Sequence, residues 1–292
     1  MTAVVLVGVD GSSSALAAVG WAAREAHRRD AVLRLVEVVE WHADAPAGPA
    51  AVTATTAARS ARAEVAAADL ARAVELAVDR LPATRIEQCV RGGTPAEVLA
   101  READGADVLV IGGPRGGWEG SLIGVGLAAR VSCPLVIVDR AGDPDPRAQV
   151  VVGVDGSVDA DGAVAVAFRE ARERGAPVEI VHAWSDAPLD GVPDLDFAAF
   201  AADVQRAVDA RVAAVRARYP DVPVRRTVVR DRPAHALAEA SRGAQLVVIG
   251  ARGRSAALAL GEVGRRVVLS AQCPVMIVGP RCPASVLAAT KR

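Results

Sequence analysis

The chain repeats itself, and that repetition limits its fold more than any other feature. "LVGVDGSSSA" starts at Leu6 and "VVGVDGSVDA" at Val151, 145 positions later in a chain of 292. At the same offset "REA" at Arg24 lies on "REA" at Arg169, and "LRLV" at Leu33 on "VEIV" at Val178. The offset then falls to 138, with "TPAEVLAREADGADVLVIGG" from Thr94 over "RPAHALAEASRGAQLVVIGA" from Arg232. It rises to 140 for "CPLVIV" at Cys133 over "CPVMIV" at Cys273. Order is kept and only loops change length, so the chain reads as two homologous domains, residues 1–140 and 149–280. "RAGDPDPRA" (Arg140 to Ala148) is the expected linker, and residues 281–292 form a short basic C-terminal tail.

Within each half, short β-branched runs alternate with long helical ones, which is the pattern of a doubly wound α/β unit. Strands are expected near Val4 to Val9, Leu33 to Val39, Arg85 to Val90, Val108 to Gly112 and Leu135 to Asp139. Helices are expected over Ser14 to Arg29, Ala54 to Arg80 and Pro95 to Ala103, with a last one ending before Cys133. Thr94, followed by Pro95 and Glu97, reads as an N-cap with proline at the first helical position. The second half repeats the scheme, with strands at Val150, Val178, Val224, Leu246 and Val275. The chain is 52% hydrophobic but 3% aromatic, so its core must be built from Ala, Val, Leu and Ile, which suits helices layered on buried parallel sheets. No apolar run reaches the length of a membrane span, no leader is recognisable, and the four cysteines show no CxxC spacing. Cytoplasmic localisation is therefore expected. A net charge of −1 does not recommend a nucleic-acid binder, and no membrane partner is expected.

Open parallel sheets bind ligands outside the carboxyl ends of their strands, and "GVDGS" falls at that end of the first strand in both halves. Asp10 and Asp155 could therefore accept a hydrogen bond from a base amino group or a ribose hydroxyl. The plainer alternative is a turn aspartate that caps the following helix. The fourth strand carries a second signal. "LVVIG" is followed by "ARGRSAALALGEVG" in the second half, and "LVIG" by "GPRGGWEGSLIGVG" in the first. A glycine-rich strand-to-helix loop offers backbone N–H groups to an anion, although tight packing also explains such loops.

"VGVDGS", "VEIVHAW", "LVVIGARGR" and "CPVMIV" together resemble the universal stress protein family, and the likeness spans nearly all of residues 3–280. The resemblance implies two Rossmann-like or flavodoxin-like domains, each a five-stranded, mainly parallel sheet with helices on both faces. It also implies pairing of the domains through their fifth strands as an intramolecular pseudo-dimer, with a homodimer of whole chains left open. Members that bind ATP carry G-x2-G-x9-G-[S/T] in the fourth-strand loop, and their first-strand aspartate lies near the adenine. Carried over, this makes Asp10, Gly113, Gly116 and Gly124 the candidates for nucleotide contact in the first half, and Asp155, Gly250, Gly253 and Gly261 those in the second. Both loops depart from the pattern: the gap from Gly253 to Gly261 is seven residues, Glu262 stands where Ser or Thr is expected, and Val125 replaces the hydroxyl after Gly124. Reading Gly120-Ser121 as the hydroxyl-bearing pair is the other register.

The remaining constellations are thin. His27, His42, His182 and His235 lack paired spacing for zinc. Cys133 and Cys273 read as small buried thiols, with a redox switch as the minority reading. Trp184 could stack on a base or pack beneath a loop. Three function classes follow. The first is a stress-response regulator that binds ATP, with or without Mg, in at least one half and passes the state to a protein partner. The second is an ATP-cleaving enzyme, which is disfavoured because "SGGxDS", "HIGH", "KMSKS" and "GxxxxGK[ST]" are missing from the sequence. The third is a scaffold with decayed sites that acts through protein contacts.

Overall fold

A computed structural model describes residues 2–40, 49–113, 124, 126–140, 142, 145–184, 197–252 and 260–283. The chain divides into two compact units, the first built mainly from Met1–Leu127 and the second mainly from Gly142–Arg292.

The first half runs β1 (Val4–Val9), α1 (Ser13–Arg28), β2 (Val32–Val39), α2 (Pro49–Val78), β3 (Ile86–Gly92), α3 (Pro95–Glu102), β4 (Val108–Gly112) and β5 (Leu135–Val138). Its strand order is β3-β2-β1-β4-β5, and the β1–β2, β2–β3 and β1–β4 pairs are parallel. The central strands are apolar without alternation: Val5, Leu6, Val7, Leu109 and Val110 are fully buried. That is the signature of a sheet covered on both faces. The covering face of α1 is small, with Ala15, Ala18, Ala22 and Ala26 almost completely buried. Close approach follows from this choice. A Cβ on Gly112 would lie 2.7 Å from the backbone N of Ala15 and 2.8 Å from the carbonyl carbon of Ser14, so only glycine lets the end of β4 reach the start of α1.

The second half repeats the order with β6 (Val150–Gly153), α4 (Val158–Arg174), β7 (Val178–Trp184), α5 (Phe197–Arg218), β8 (Val224–Arg230), α6 (Pro233–Ala240), β9 (Leu246–Gly250), α7 (Glu262–Ser270) and β10 (Val275–Val278). Its strand order is β8-β7-β6-β9-β10. All the described pairs are parallel, and Phe168 is fully buried on α4.

Four local expectations needed correction. Arg85 belongs to a 3₁₀ turn (Ala83–Arg85) and not to β3. The long helix begins at Pro49, five residues before Ala54, because proline opens a helix without needing its missing N–H. The last strand of the first half stops at Val138, short of Asp139. Thr94 occupies the N-cap position of α3, but its side chain makes no capping bond. The equivalent residue of α6 is Arg232, which also makes none, so Pro95 and Pro233 set these helix starts in place of a hydroxyl.

Candidate functional site

In both halves the turn after the first strand is built in the same way. Gly11 and Gly156 adopt φ +74° and +83°, a left-handed conformation that glycine takes without steric cost. Asp10 Oδ1 accepts the Ser12 N–H at 3.0 Å. Asp155 Oδ1 accepts both the Ser157 N–H at 2.9 Å and the Ser157 hydroxyl at 2.6 Å. Ser12 and Ser157, in turn, cap α1 and α4 by accepting the Ala15 and Ala160 N–H groups. The aspartates therefore shape the turn, and the serines do the capping.

What faces the turn differs between the halves. In the first, Glu37 of β2 sits opposite Val9 in the sheet register, 7% exposed, with Oε2 lacking any hydrogen-bond partner among the described residues. Burial, and then the charges of Asp69 and Asp10, push its pKa up from the ordinary carboxylate value to about 7. Asp69 reaches in from α2, its carboxylate packed on the turn so closely that a Cβ on Gly11 would fall 2.4 Å from Oδ2. In the second half the repeat places His182 where Glu37 stands. His182 donates its Nδ1–H to the Val154 carbonyl at 2.6 Å, which fixes the tautomer. Arg211 of α5 donates to the Ser157 carbonyl at 3.3 Å and holds Asp161 through two bonds of 2.6 and 3.0 Å. One turn thus faces two extra carboxylates, the other an imidazole and a guanidinium paired with Asp161.

The glycine candidates fall into three groups. Gly116 and Gly253 lie outside the described residues. Gly113 and Gly124 have packing roles. The Gly113 N–H donates to the Val138 carbonyl at 2.7 Å, and a Cβ there would meet Asp139 at 2.8 Å. Gly124 is buried against Ile111 and Ile137, much as Gly264 packs against Ile249 and Leu260 in the second half. The structural counterpart of Gly113 is Ala251, whose N–H donates to the Val278 carbonyl at 2.9 Å. Gly112 is therefore the true equivalent of Gly250, each ending its fourth strand. Gly250 and Gly261 stand at the two ends of the second loop. The Gly261 N–H bonds the Ala251 carbonyl at 2.9 Å, closing the loop at its base. Gly261 is the N-cap of α7 and has no side chain to cap it; among the described residues no side-chain acceptor takes the first-turn N–H groups of that helix, the groups that an incoming acceptor would use. Glu262, in the first turn, is 76% exposed and paired with Arg266 at 2.7 Å.

Sequence reasoning missed Glu37, Asp69 and Arg211. Glu37 was detectable, because the offset of 145 sets it on His182; Asp69 and Arg211 lie on long helices whose charges look like solvated faces. The cysteine reading also gains detail, since burial pushes the Cys273 thiol up to about 12 and leaves little thiolate for redox chemistry.

Tandem parallel α/β units, each with a glycine turn at the carboxyl end of its first strand and a glycine ending its fourth, define a Rossmann-like class of protein. The universal stress protein family matches residues 1–139 and 147–279, and the chain belongs to that family. It is similar to universal stress protein Rv2005c of Mycobacterium tuberculosis H37Rv, with 38% identity over 285 residues covering 94% of this chain and 96% of the relative. Universal stress protein Rv2623 of the same strain is 34% identical over 287 residues, covering 94% and 95%. A universal stress protein structure from Archaeoglobus fulgidus shares the fold at a TM-score of 0.65 and 17% identity, covering 94% of this chain and 96% of that one. Among the described residues no helix is long and apolar enough to cross a membrane.

Proposed function

We propose that this chain is a nucleotide-responsive stress regulator that binds one adenine nucleotide, in its second domain, and acts by the bound state instead of by turnover. The observation that carries this reading is the electrostatic difference between the crevices. Near Asp155 stand His182 and an Arg211 that is paired with Asp161, whereas Asp10 is joined by Glu37 and Asp69. A nucleotide placed in the first crevice would set its base and ribose among three carboxylates, and Gly113 has already committed its N–H to the sheet.

The second half fits an adenine nucleotide. Asp155 would take a ribose hydroxyl or base amino group, and Gly250, Gly261 and the uncapped start of α7 would receive the phosphates, as N–H groups at a helix start do. When bound, the nucleotide supplies the state that a protein partner reads, and magnesium would travel with its phosphates. The Glu262–Arg266 pair reduces, without removing, the repulsion at the loop's end.

Calorimetric titration of nucleotide-free protein with ATP and magnesium tests the reading. The expected result is one site, lost in Asp155→Ala and retained in Asp10→Ala. Loss in Asp10→Ala alone would reverse the assignment. No heat with ATP, ADP, AMP or cyclic AMP would leave the scaffold reading, which the packing roles of Gly113 and Gly124 favour for the first half.

A further inference from the structure

The first crevice does something other than repeat the second less well. Three carboxylates from three separate elements meet there: Asp10 after β1, Glu37 on β2 and Asp69 on α2. Glu37 is more than nine-tenths buried, and its Oε2 has no hydrogen-bond partner among the described residues. Both other carboxylates act on it as unfavourable charges. A buried carboxylate among like charges is costly unless something positive meets it. Among the described residues the guanidinium paired with this cluster is that of Arg72, 3.8 Å from Asp69 and itself 58% exposed, a separation and exposure at which water screens most of the attraction. Asp10 gives one oxygen to the Ser12 N–H, and its side of the crevice is open to solvent.

We propose that the first domain's crevice binds a linear polyamine, with its ammonium groups distributed over Asp69, Glu37 and Asp10. The class of ligand follows from how the acceptors are spread. Among the described residues the three do not bring one oxygen each within 4.8 Å of one another, as ligands of a single bare metal ion would. A chain that carries several ammonium groups separated by methylenes reaches acceptors that do not converge. Its apolar spacers suit the surroundings of Glu37, which pairs with Val9 in the sheet register and lies two residues before Val39 on the same strand. Each ammonium is a compact donor of three hydrogen bonds, so it can satisfy the orphaned Glu37 oxygen while pairing its charge. The second half cannot do this, because His182 and Arg211 stand in its crevice. The two domains would then read two ligands of opposite charge.

The test is calorimetric titration of the nucleotide-free full chain with spermidine, and separately with magnesium chloride, at low ionic strength. Spermidine should bind at one site, roughly tenfold or more weaker in Glu37→Gln and in Asp69→Asn, losses of the size seen when one charged hydrogen-bonding partner is removed. Asp155→Asn, in the other domain, should bind spermidine as wild type does. Circular dichroism checks that the two variants fold, and Asp69→Asn serves alone if Glu37→Gln does not. Binding of magnesium but not spermidine would overturn the proposal in favour of a hydrated metal ion. No binding of either, or spermidine binding unchanged in both variants, would overturn it outright. Because no nucleotide is present, failure here is distinct from failure of the ATP titration.

Discussion

Asp10 and Asp155 end equivalent strands and fold their carboxylates back on equivalent serines, yet Asp10 looks out on Glu37 and Asp69 while Asp155 looks out on His182 and Arg211. A duplicated turn has kept its geometry, and its surroundings have changed from two further carboxylates to an imidazole and an Asp161-paired guanidinium. The turn is fixed by local backbone needs, a left-handed glycine and a capped helix, which every copy must meet in order to fold. The facing residues come from the second strand and the long helix, where charge can change without disturbing the turn. In these two domains, then, the motif reports the fold, and the residues across from it are where the two domains differ.

The largest expected effect that would break this comparison is on pH dependence. Glu37 has a folded pKa of about 7, above its unfolded value, so between these values the folded state holds the extra proton. Stability is therefore highest below the unfolded pKa and falls as pH rises through the folded one. The loss is on the order of 3 kcal/mol across that window. Glu37→Gln should remove it: chemical denaturation in polyamine-free buffer should show the variant close to wild type near pH 5 and more stable near pH 8. The same slope in both proteins would mean that Glu37 is not held neutral and that the two crevices are less unlike than their residues suggest.

A smaller effect separates the two turn glycines. At Gly156 an added Cβ meets nothing within 4 Å, whereas at Gly11 it meets the Asp69 carboxylate at 2.4 to 2.6 Å. Both positions share the left-handed φ, so Gly156→Ala should cost about 1 kcal/mol from backbone strain alone. Gly11→Ala should cost about 2 to 3 kcal/mol, since Asp69 must also move. Adding Asp69→Ala to Gly11→Ala should bring the cost back toward the Gly156→Ala value in a double-mutant cycle followed by thermal unfolding. Additive costs would show that Asp69 does not press on the turn.

Much of this architecture is legible in the amino-acid sequence. The alternation of β-branched runs with helical ones gave the order of strands and helices, because full burial on both sheet faces leaves "LVVIG" and "LVIV" little other use. Helix starts were less legible, since Thr94 and Arg232 show that proline can set a start that a hydroxyl seemed to mark. The site was read only in part. Asp10 and Asp155 carried a motif and could be found. The family spacing drew Gly113 into the glycine pattern, although the repeat offset of 138 sets Gly112 on Gly250 and Gly113 on Ala251; the sheet hydrogen bond from Gly113 to Val138 agrees with the repeat. Asp69 and Arg211 had no local signal, since which helix face turns toward a crevice is decided by packing.

The smallest effect concerns the end of the first helix, where the halves solve one problem with different residues. Ala31 N–H bonds the Ala26 carbonyl and Ala176 N–H bonds the Ala171 carbonyl, a closure that needs a left-handed residue just before it. The second half uses Gly175 at φ 63°, and the first uses Asp30 at φ 52°. A side chain in that region is strained by roughly 1 kcal/mol or more, and aspartate tolerates it better than most. Asp30 also pairs with Arg85 at 2.5 Å, but with the carboxylate 92% exposed the pair adds little. Glycine relieves strain in the folded state while giving the unfolded chain more freedom. Asp30→Gly should therefore change stability by less than about 0.5 kcal/mol, whereas Gly175→Asp should cost about 1 kcal/mol. Both are measured by urea denaturation. A cost of several kcal/mol for Gly175→Asp would show that the two caps are not interchangeable, and that divergence between the domains reaches the scaffold as well as the crevices.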